Sequence, residues 1–325
     1  VSQTFDFPTV YSKQKKMLTE EWKTASALAS LKEAELKKEV TSTFYAILTL
    51  EAKEKLLQKS DTLLTEFMRK ATLRLKKGES NILEKTTAET QLGQLKMQLL
   101  MLEQEKELQA SRFRFLLNSD TIYQPFENTF KINASQNSVE DSIAQHPLLA
   151  SLEQKKKTAQ AQTQLEKAKK LPTLTLGYNN TSITGTGADN ISYDKSARFH
   201  SAQLGIGIPL FGGSQSARVK ASKIQETIAA NELEKERLSL ENQLKNVLLA
   251  FQKNKERLAY FEKTALPNAT IITETANRQF IGGEINYLDW VMLVNQSISI
   301  NNQYIDTVNM LNESIIELNY LTSKN

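Results

Sequence analysis

The sequence predicts a mainly α-helical protein with a small β part, built from long antiparallel helical hairpins and containing an internal duplication. Three observations predict this fold class. Apolar residues recur at helical spacing over stretches much longer than an ordinary globular helix. Short stretches between these helices alternate with a period of two, as strands do. One short turn occurs twice, at 78–84 and 283–289, with four of seven positions identical.

The chain begins with partial alternation over residues 1–11, where Val1, Phe5, Phe7 and Tyr11 share one face. This pattern predicts a strand. From Ser12 to about Leu75 the period becomes helical, and no Pro or Gly interrupts it. About 60 residues at ~1.5 Å each form a rod of roughly 90 Å, which has to pack against similar rods.

A second helix is predicted from about Leu83 to Leu117, followed by a break at 118–137 that contains Pro125. A third helix is predicted over 138–170, with His146-Pro147 near its start. Stacked end to end, the second and third helices match the length of the first rod.

Residues 173–178 alternate as a strand, and a polar loop follows at 179–198. A second strand begins at Phe199 and ends in the run 209–213 (Pro-Leu-Phe-Gly-Gly). One face of this strand is apolar and contains Ala202, Leu204, Ile206, Ile208 and Leu210. The other face is small and polar and contains Ser201, Gln203, Gly205 and Gly207. Another rod is predicted over 214–280, with Pro267 as a candidate kink, and a last helix over 287–321.

These elements repeat at an offset of just over 200 residues, so that Phe7-Pro8 corresponds to Ile208-Pro209 and Gly78 to Gly283. We therefore predict two repeats, residues 1–170 and residues 171–325. The first repeat lacks counterparts of helix 138–170 and strand 173–178. We expect a complete protein to carry about 60 further residues before Val1, or a fusion partner there.

Each copy of the turn is predicted to form the tip of a helical hairpin. Gly78 and Gly283 suit the positive-φ position that ends a helix. Ser80 or Asn81 in the first copy, and Asn286 in the second, suit the N-cap that begins the next helix.

Composition excludes several classes of function. The net charge of +4 is small for 325 residues, and no dense basic stripe is interleaved with aromatics, so we expect no nucleic-acid partner. The absence of Cys excludes disulfides and thiolate metal sites. No Ser or Asp is arranged with either His as a nucleophile and base would be, so we expect no enzyme and no cofactor.

The predicted strands have one apolar face and one small, polar face. A soluble sandwich has this pattern, and so does a membrane barrel whose apolar side meets lipid. Strands of about ten residues suit a tilted membrane strand. Three strands cannot close a barrel, and open edges are not tolerated in lipid, so a membrane barrel would have to be shared by several chains.

The ordered elements resemble the TolC-like outer membrane efflux proteins over nearly the whole chain. The residues that carry the resemblance are 171–178 (Leu-Pro-Thr-Leu-Thr-Leu-Gly-Tyr), 207–213 (Gly-Ile-Pro-Leu-Phe-Gly-Gly) and both tips. Residues 4–11 (Thr-Phe-Asp-Phe-Pro-Thr-Val-Tyr) are similar to the heavy-metal-efflux branch, and within it to proteins fused behind an inner-membrane metal transporter.

The resemblance implies a homotrimer that shares one β-barrel in the outer membrane, continued by a helical tunnel through the periplasm. It implies a passive export duct of a tripartite pump, for heavy-metal cations in this branch. The implied partners are a periplasmic adaptor, an inner-membrane RND transporter and outer membrane lipid. The missing first helix and first strand depart from the family pattern and bear on whether this chain assembles a barrel alone.

In the family, the tunnel closes and the adaptor docks at the hairpin tips. The matching residues here are Gly78, Glu79, Ser80, Asn81, Leu83, Glu84, Gly283, Glu284, Ile285, Asn286, Leu288 and Asp289. A trimer would collect up to twelve tip carboxylates, from Glu79, Glu84, Glu284 and Asp289, into a ring that attracts cations. The alternative is that these acids only favour helix N-termini.

Two Met and two His residues are weaker candidates for metal ligands. Met97 and Met101 lie four apart on a helix and could bind a soft metal, although Met more often fills gaps in a core. His146 and His200 have no ligand partners nearby in the sequence. Two alternative functions are a periplasmic adaptor, which also carries helical hairpins, and a structural coiled-coil protein without channel activity.

Overall fold

The computed structural model describes residues 1–78, 80–121, 123, 125, 129–132 and 143–323. The helices are α1 (Pro8–Lys76), α2 (Ile82–Leu116), α3 (Pro147–Ala168), α4 (Gly213–Tyr260), α5 (Leu266–Gly282) and α6 (Tyr287–Leu321). The strands are β1 (Ser2–Phe5), β2 (Thr173–Thr181), β3 (Gly185–Thr186), β4 (Ser192–Tyr193) and β5 (Phe199–Gly207). Each predicted long helix is present, and a mainly helical fold with a small sheet is confirmed.

The chain divides into two compact units. The first unit comprises residues 1–32 and 144–239 and contains all five strands. The second comprises the described parts of 33–143 together with 240–323, and it contains both hairpin tips. These units are defined by packing and do not coincide with the two predicted sequence repeats, 1–170 and 171–325. The division into repeats stays a prediction.

The main sheet of the first unit is antiparallel, with strand order β1-β2-β5. Leu174 of β2 lies opposite Phe5 on one side and Ile206 on the other. On the opposite face, the Thr4 and Thr175 hydroxyls lie 3.0 Å apart. The predicted division of the strands into an apolar face and a small, polar face is confirmed, because opposed residues share a face.

Four predicted boundaries are wrong. β5 ends at Gly207, so Ile208 and Leu210 lie beyond the strand. α1 begins at Pro8, so residues 8–11 are helical and not part of a strand; proline is well suited to the first helical position. α3 begins only at Pro147, where His146 caps the helix, and residues 138–142 lie outside the described part. Within the predicted polar loop, β2 continues to Thr181, and the β3–β4 ladder pairs two residues on each side.

The predicted irregularity at Pro267 is present as a π-helical turn, Phe261–Ala265, between α4 and α5. The Leu266 N–H donates to the Phe261 carbonyl, five residues back. Pro267 has no N–H, and its ring would collide with the carbonyl four residues earlier in a regular helix. A wider turn before Pro267 relieves that collision.

Asn312 of α6 anchors a non-helical segment to the second unit. Its Nδ2 donates to the Phe130 carbonyl at 2.5 Å, and its Oδ1 accepts the Ile132 N–H at 2.9 Å. The Asn312 side chain is fully buried. A single amide therefore pairs two backbone groups of residues 130–132 that would otherwise lose hydrogen bonds on burial.

We predict that Asn312→Ala lowers the free energy of unfolding by about 2 kcal/mol, because it leaves two buried backbone groups unpaired. Denaturant unfolding in detergent measures the change, and amide exchange at 130–132 should accelerate. Asn302→Ala, on the same helix and without a side-chain hydrogen bond in the described part, is the control. Equal effects of the two substitutions would contradict the anchoring role of Asn312.

Candidate functional site

The first tip reverses the chain between α1 and α2. Gly78 has a φ of 73°, and its N–H donates to the Leu75 carbonyl at 3.0 Å. The Asn81 Oδ1 then accepts the Glu84 N–H at 3.1 Å. A left-handed glycine thus ends one helix and an asparagine caps the next, as the sequence predicts. Of the two predicted caps, Asn81 fills the role.

The second tip has the same construction. Gly283 has a φ of 75°, and its N–H donates to the Phe280 carbonyl at 3.2 Å. The Glu284 N–H donates to the Gln279 carbonyl at 2.9 Å, which completes a Schellman motif. The Asn286 Oδ1 accepts the Asp289 N–H at 3.0 Å. The two copies of the turn therefore share a glycine at positive φ and an asparagine N-cap, as well as one sequence pattern.

The Glu84 carboxylate is compensated within its own chain. The Ser80 hydroxyl donates to it, and the Arg74 Nη1 lies 3.6 Å from it. Only 13% of its side chain is exposed. Glu84 therefore joins the ends of α1 and α2, and its charge contributes little to the predicted ring of acids. Among the other predicted acids, Glu284 and Asp289 are exposed, while Glu79 lies outside the described residues.

The tips also present apolar side chains to the surface. Leu83 and its repeat counterpart Leu288 are 55% and 37% exposed, and Ile82 is 64% exposed. Ile285, by contrast, packs against the buried core of the second unit. The surface at the tips thus combines exposed leucines with exposed carboxylates.

An aromatic cluster lies directly behind the tips. The rings of Phe67 on α1 and Trp290 on α6 stack with centroids 3.2 Å apart. The Trp290 Nε1 donates to Asn277 Oδ1 of α5 at 2.8 Å. Phe280 and Tyr287 pack around the same indole. These contacts join the two hairpins, and the sequence analysis missed them, although three of these aromatics lie within seven residues of Gly283.

Tyr287 is almost fully buried in this cluster. Burial, together with the nearby Glu84 charge, raises the pKa of its hydroxyl to about 12. The hydroxyl finds no hydrogen-bond partner in the part of the chain that the structure describes. The Tyr287 ring is therefore held by packing, and its hydroxyl is a cost to the fold.

The remaining sequence candidates are placed away from the tips or serve local structure. Met97 and Met101 are exposed on α2. The His146 Nδ1 accepts the Leu148 N–H at 3.2 Å, and the His200 Nδ1 lies 2.6 Å from the Tyr178 hydroxyl. Within the described residues, no group of three or more His, Asp and Glu side chains could hold a metal ion. In the same residues, no helix is both long and apolar enough to span a membrane.

Comparison with known proteins decides the family. Residues 139–322, more than half of the chain, match the model of the family described as outer membrane efflux protein. The chain belongs to the outer membrane efflux protein family. No curated protein matches this member of the family.

Solved structures resemble this efflux family protein over almost its entire length. The outer membrane channel CmeC of Campylobacter jejuni is 14% identical, with a TM-score of 0.86 over 99% of this chain and 69% of that one. VceC of Vibrio cholerae is 15% identical (TM-score 0.81, 99% and 77%). The open-state MtrE channel of Neisseria gonorrhoeae is 14% identical (TM-score 0.81, 99% and 73%).

At these identities the likeness establishes the fold alone. Membership of an efflux family supports an efflux channel and disfavours both a periplasmic adaptor and a structural coiled coil. The family is one of transport ducts and not of enzymes.

We predict that Gly78→Val and Gly283→Val each destabilise one tip by about 1–2 kcal/mol, because a β-branched residue is poorly tolerated at positive φ. Amide exchange should accelerate at the substituted tip only. Gly93→Val is the control, because Gly93 lies within α2 and has open space around it. Unchanged exchange at the tips would contradict the capping role of the two glycines.

We predict that Tyr287→Phe leaves the free energy of unfolding unchanged or raises it by up to about 1 kcal/mol, because it removes an unpaired buried hydroxyl. Trp290→Phe should lower it by about 1–3 kcal/mol through the lost hydrogen bond and contact area. Denaturant unfolding compares the two variants. A large loss of stability in Tyr287→Phe would show that the hydroxyl is paired.

The pH dependence gives a second test of Tyr287. The pKa is raised in the folded state, so the folded chain holds the proton more tightly than the unfolded chain between pH 10 and about 12. This titration therefore leaves the free energy of unfolding unchanged below pH 10 and lowers it as pH rises from 10 through about 12, because the unfolded chain loses the proton first. Tyr287→Phe should make the decline of stability in this window shallower. An identical decline in both proteins would rule out the raised pKa.

Proposed function

We propose that the protein is one subunit of a homotrimeric outer membrane channel, which serves as the passive duct of a tripartite efflux pump. The helical hairpins would lie in the periplasm and the β1-β2-β5 sheet in the outer membrane. A periplasmic adaptor would dock at the two tips and connect the duct to an inner-membrane RND transporter. Family membership supports the function as an efflux channel. Features of the tips and of the sheet support the docking site, the shared barrel and the substrate.

The observation that carries the proposal is the pair of equivalent tips. Two turns more than 200 residues apart share a left-handed glycine, an asparagine cap and an exposed leucine. Because the aromatic cluster joins the two hairpins, the tips are held side by side as a double surface. A partner that carries a repeated recognition element, or two copies of one partner, fits such a surface.

The sheet supports the shared barrel. Leu204 and Ile206 of β5 are 84% and 69% exposed, and they share a face with Leu174 and Leu176. A face this apolar is unfavourable in water and suits lipid. Three strands leave two open edges, whose unpaired backbone groups cannot remain in lipid. Strands from neighbouring copies would pair both edges.

We propose heavy-metal cations as the exported substrate. The support is the likeness of residues 4–11 to the heavy-metal branch, together with the exposed Glu284 and Asp289 at the second tip. Carboxylates around the entrance of a duct would attract cations and repel anions. The cation is cargo here, and the selection among metals would rest with the transporter.

We predict that the double variant Gly78→Val with Gly283→Val loses photocrosslinking between the tips and the proposed periplasmic adaptor, since both docking turns are distorted. Gly93→Val should crosslink as the wild type does. The crosslinker is placed at Leu288, which is exposed at the second tip. Undiminished crosslinking in the double variant would reject the tips as the docking surface.

Substitution of the exposed tip acids tests the role of charge. Glu284→Gln with Asp289→Asn should lower the cation preference of the channel in a planar bilayer, because each chain loses two carboxylates at the entrance. Glu103→Gln with Glu107→Gln, both exposed on α2, is the matched control. An unchanged reversal potential in the tip variant would leave these acids as helix caps only.

A further inference from the structure

Positive charge is concentrated where the helices of the first unit meet the main sheet. α1 follows β1, α3 precedes β2 and α4 follows β5, so three helix ends adjoin one sheet. Eight basic residues lie within eight residues of these ends, a distance of about 12 Å along a helix. We call them the basic collar: Lys13, Lys15, Lys16, Lys167, Lys169, Lys170, Arg218 and Lys220.

Few acids offset the basic collar. The connections and helix ends at 6–16, 160–170 and 208–220 contain only two, Asp6 and Glu166. Glu166 is buried and accepts a hydrogen bond from Lys169 at 2.8 Å. Beyond that pair, the seven other members of the collar form no ion pair with the residues that the structure describes. Most of this charge therefore faces solvent, and Lys16 also lies close to the Glu20 carboxylate of α1.

Packing brings the three helix ends together. Val10 of α1 is buried against Leu165 and Ala168 of α3. The Lys170 Nζ donates to the Ser216 Oγ of α4 at 3.2 Å. The collar is thus one surface, although its members come from three distant parts of the sequence. The first unit contains 18 Lys and Arg and 11 Asp and Glu, so it is basic overall. The rest of the chain contains 23 Lys and Arg and 26 Asp and Glu, so it is slightly acidic.

The collar adjoins the most apolar surface of the same unit. Ile208, Leu210 and Phe211 lie between β5 and α4 and are 64%, 84% and 91% exposed. Tyr11, one turn into α1, is 49% exposed. Membrane proteins present three kinds of surface in order along the membrane normal. An apolar band faces the hydrocarbon core, aromatic residues lie at the interface, and basic residues lie among the headgroups.

From this arrangement we infer that the basic collar binds the anionic headgroups of glycerophospholipids at the periplasmic face of the outer membrane. The inference rests on the proposed membrane location of the sheet. Each Lys or Arg near an anionic lipid surface strengthens binding by about fivefold, and the effect weakens with salt. The collar would set the depth of the sheet in the membrane.

The test is native mass spectrometry of the full chain in non-ionic detergent, with equal amounts of phosphatidylglycerol and phosphatidylcholine that carry the same acyl chains. We expect retained phosphatidylglycerol to exceed phosphatidylcholine by at least about fivefold. The variant Lys13→Gln, Lys16→Gln, Lys167→Gln, Lys170→Gln should bring the ratio close to one. The control removes four exposed lysines of the other unit, as Lys59→Gln, Lys96→Gln, Lys245→Gln and Lys253→Gln, and should retain the preference.

Equal retention of the two lipids by the wild type, or an undiminished preference in the collar variant, would overturn the inference. Preferential retention of lipopolysaccharide when it is added as a competitor would overturn the choice of glycerophospholipid. Single-channel conductance in phosphatidylcholine bilayers separates this outcome from the proposed function. Conductance without any preference for phosphatidylglycerol would refute lipid binding by the basic collar but not the channel function. A lipid preference without conductance would refute the channel function but not lipid binding by the basic collar.

Discussion

The architecture depends on burying the apolar faces of its long helices against one another. Most of the stability of such a helix comes from packing and little from propensity. The aromatic stack of Phe67 on Trp290 joins the two hairpins of the second unit within a shared buried cluster. Both tips project from this cluster. Their relative position therefore follows from packing behind them, while their individual shapes follow from the local turns.

Local features of the fold could be predicted from the sequence. Gly78, Gly283 and Asn286 take the predicted conformations because glycine at positive φ and asparagine at an N-cap are local preferences. The faces of β2 and β5 follow in the same way from alternation. The start of α1 at Pro8 was missed because the alternation of Phe5, Phe7 and Tyr11 continues across a helix boundary that proline sets.

Contacts between distant residues could not be predicted in this way. Phe67 meets Trp290 across more than 200 residues, and Arg74 pairs with Glu84 only because the tip folds back on itself. The sequence therefore suggested four equivalent tip acids, whereas the structure sets Glu84 apart from Glu284 and Asp289. The basic collar was likewise missed, because its three segments lie far apart in the chain and only the sheet and the packing of the helix ends bring them together.

The central claim is that the β1-β2-β5 sheet is completed by neighbouring copies in a membrane. Native mass spectrometry of the protein reconstituted in lipid nanodiscs tests it most directly, because the number of chains per disc follows from the chain mass of 36.7 kDa. Three chains in each disc, stable on dilution, are the predicted result. A single chain per disc, or failure of the protein to associate with lipid at all, would contradict the account.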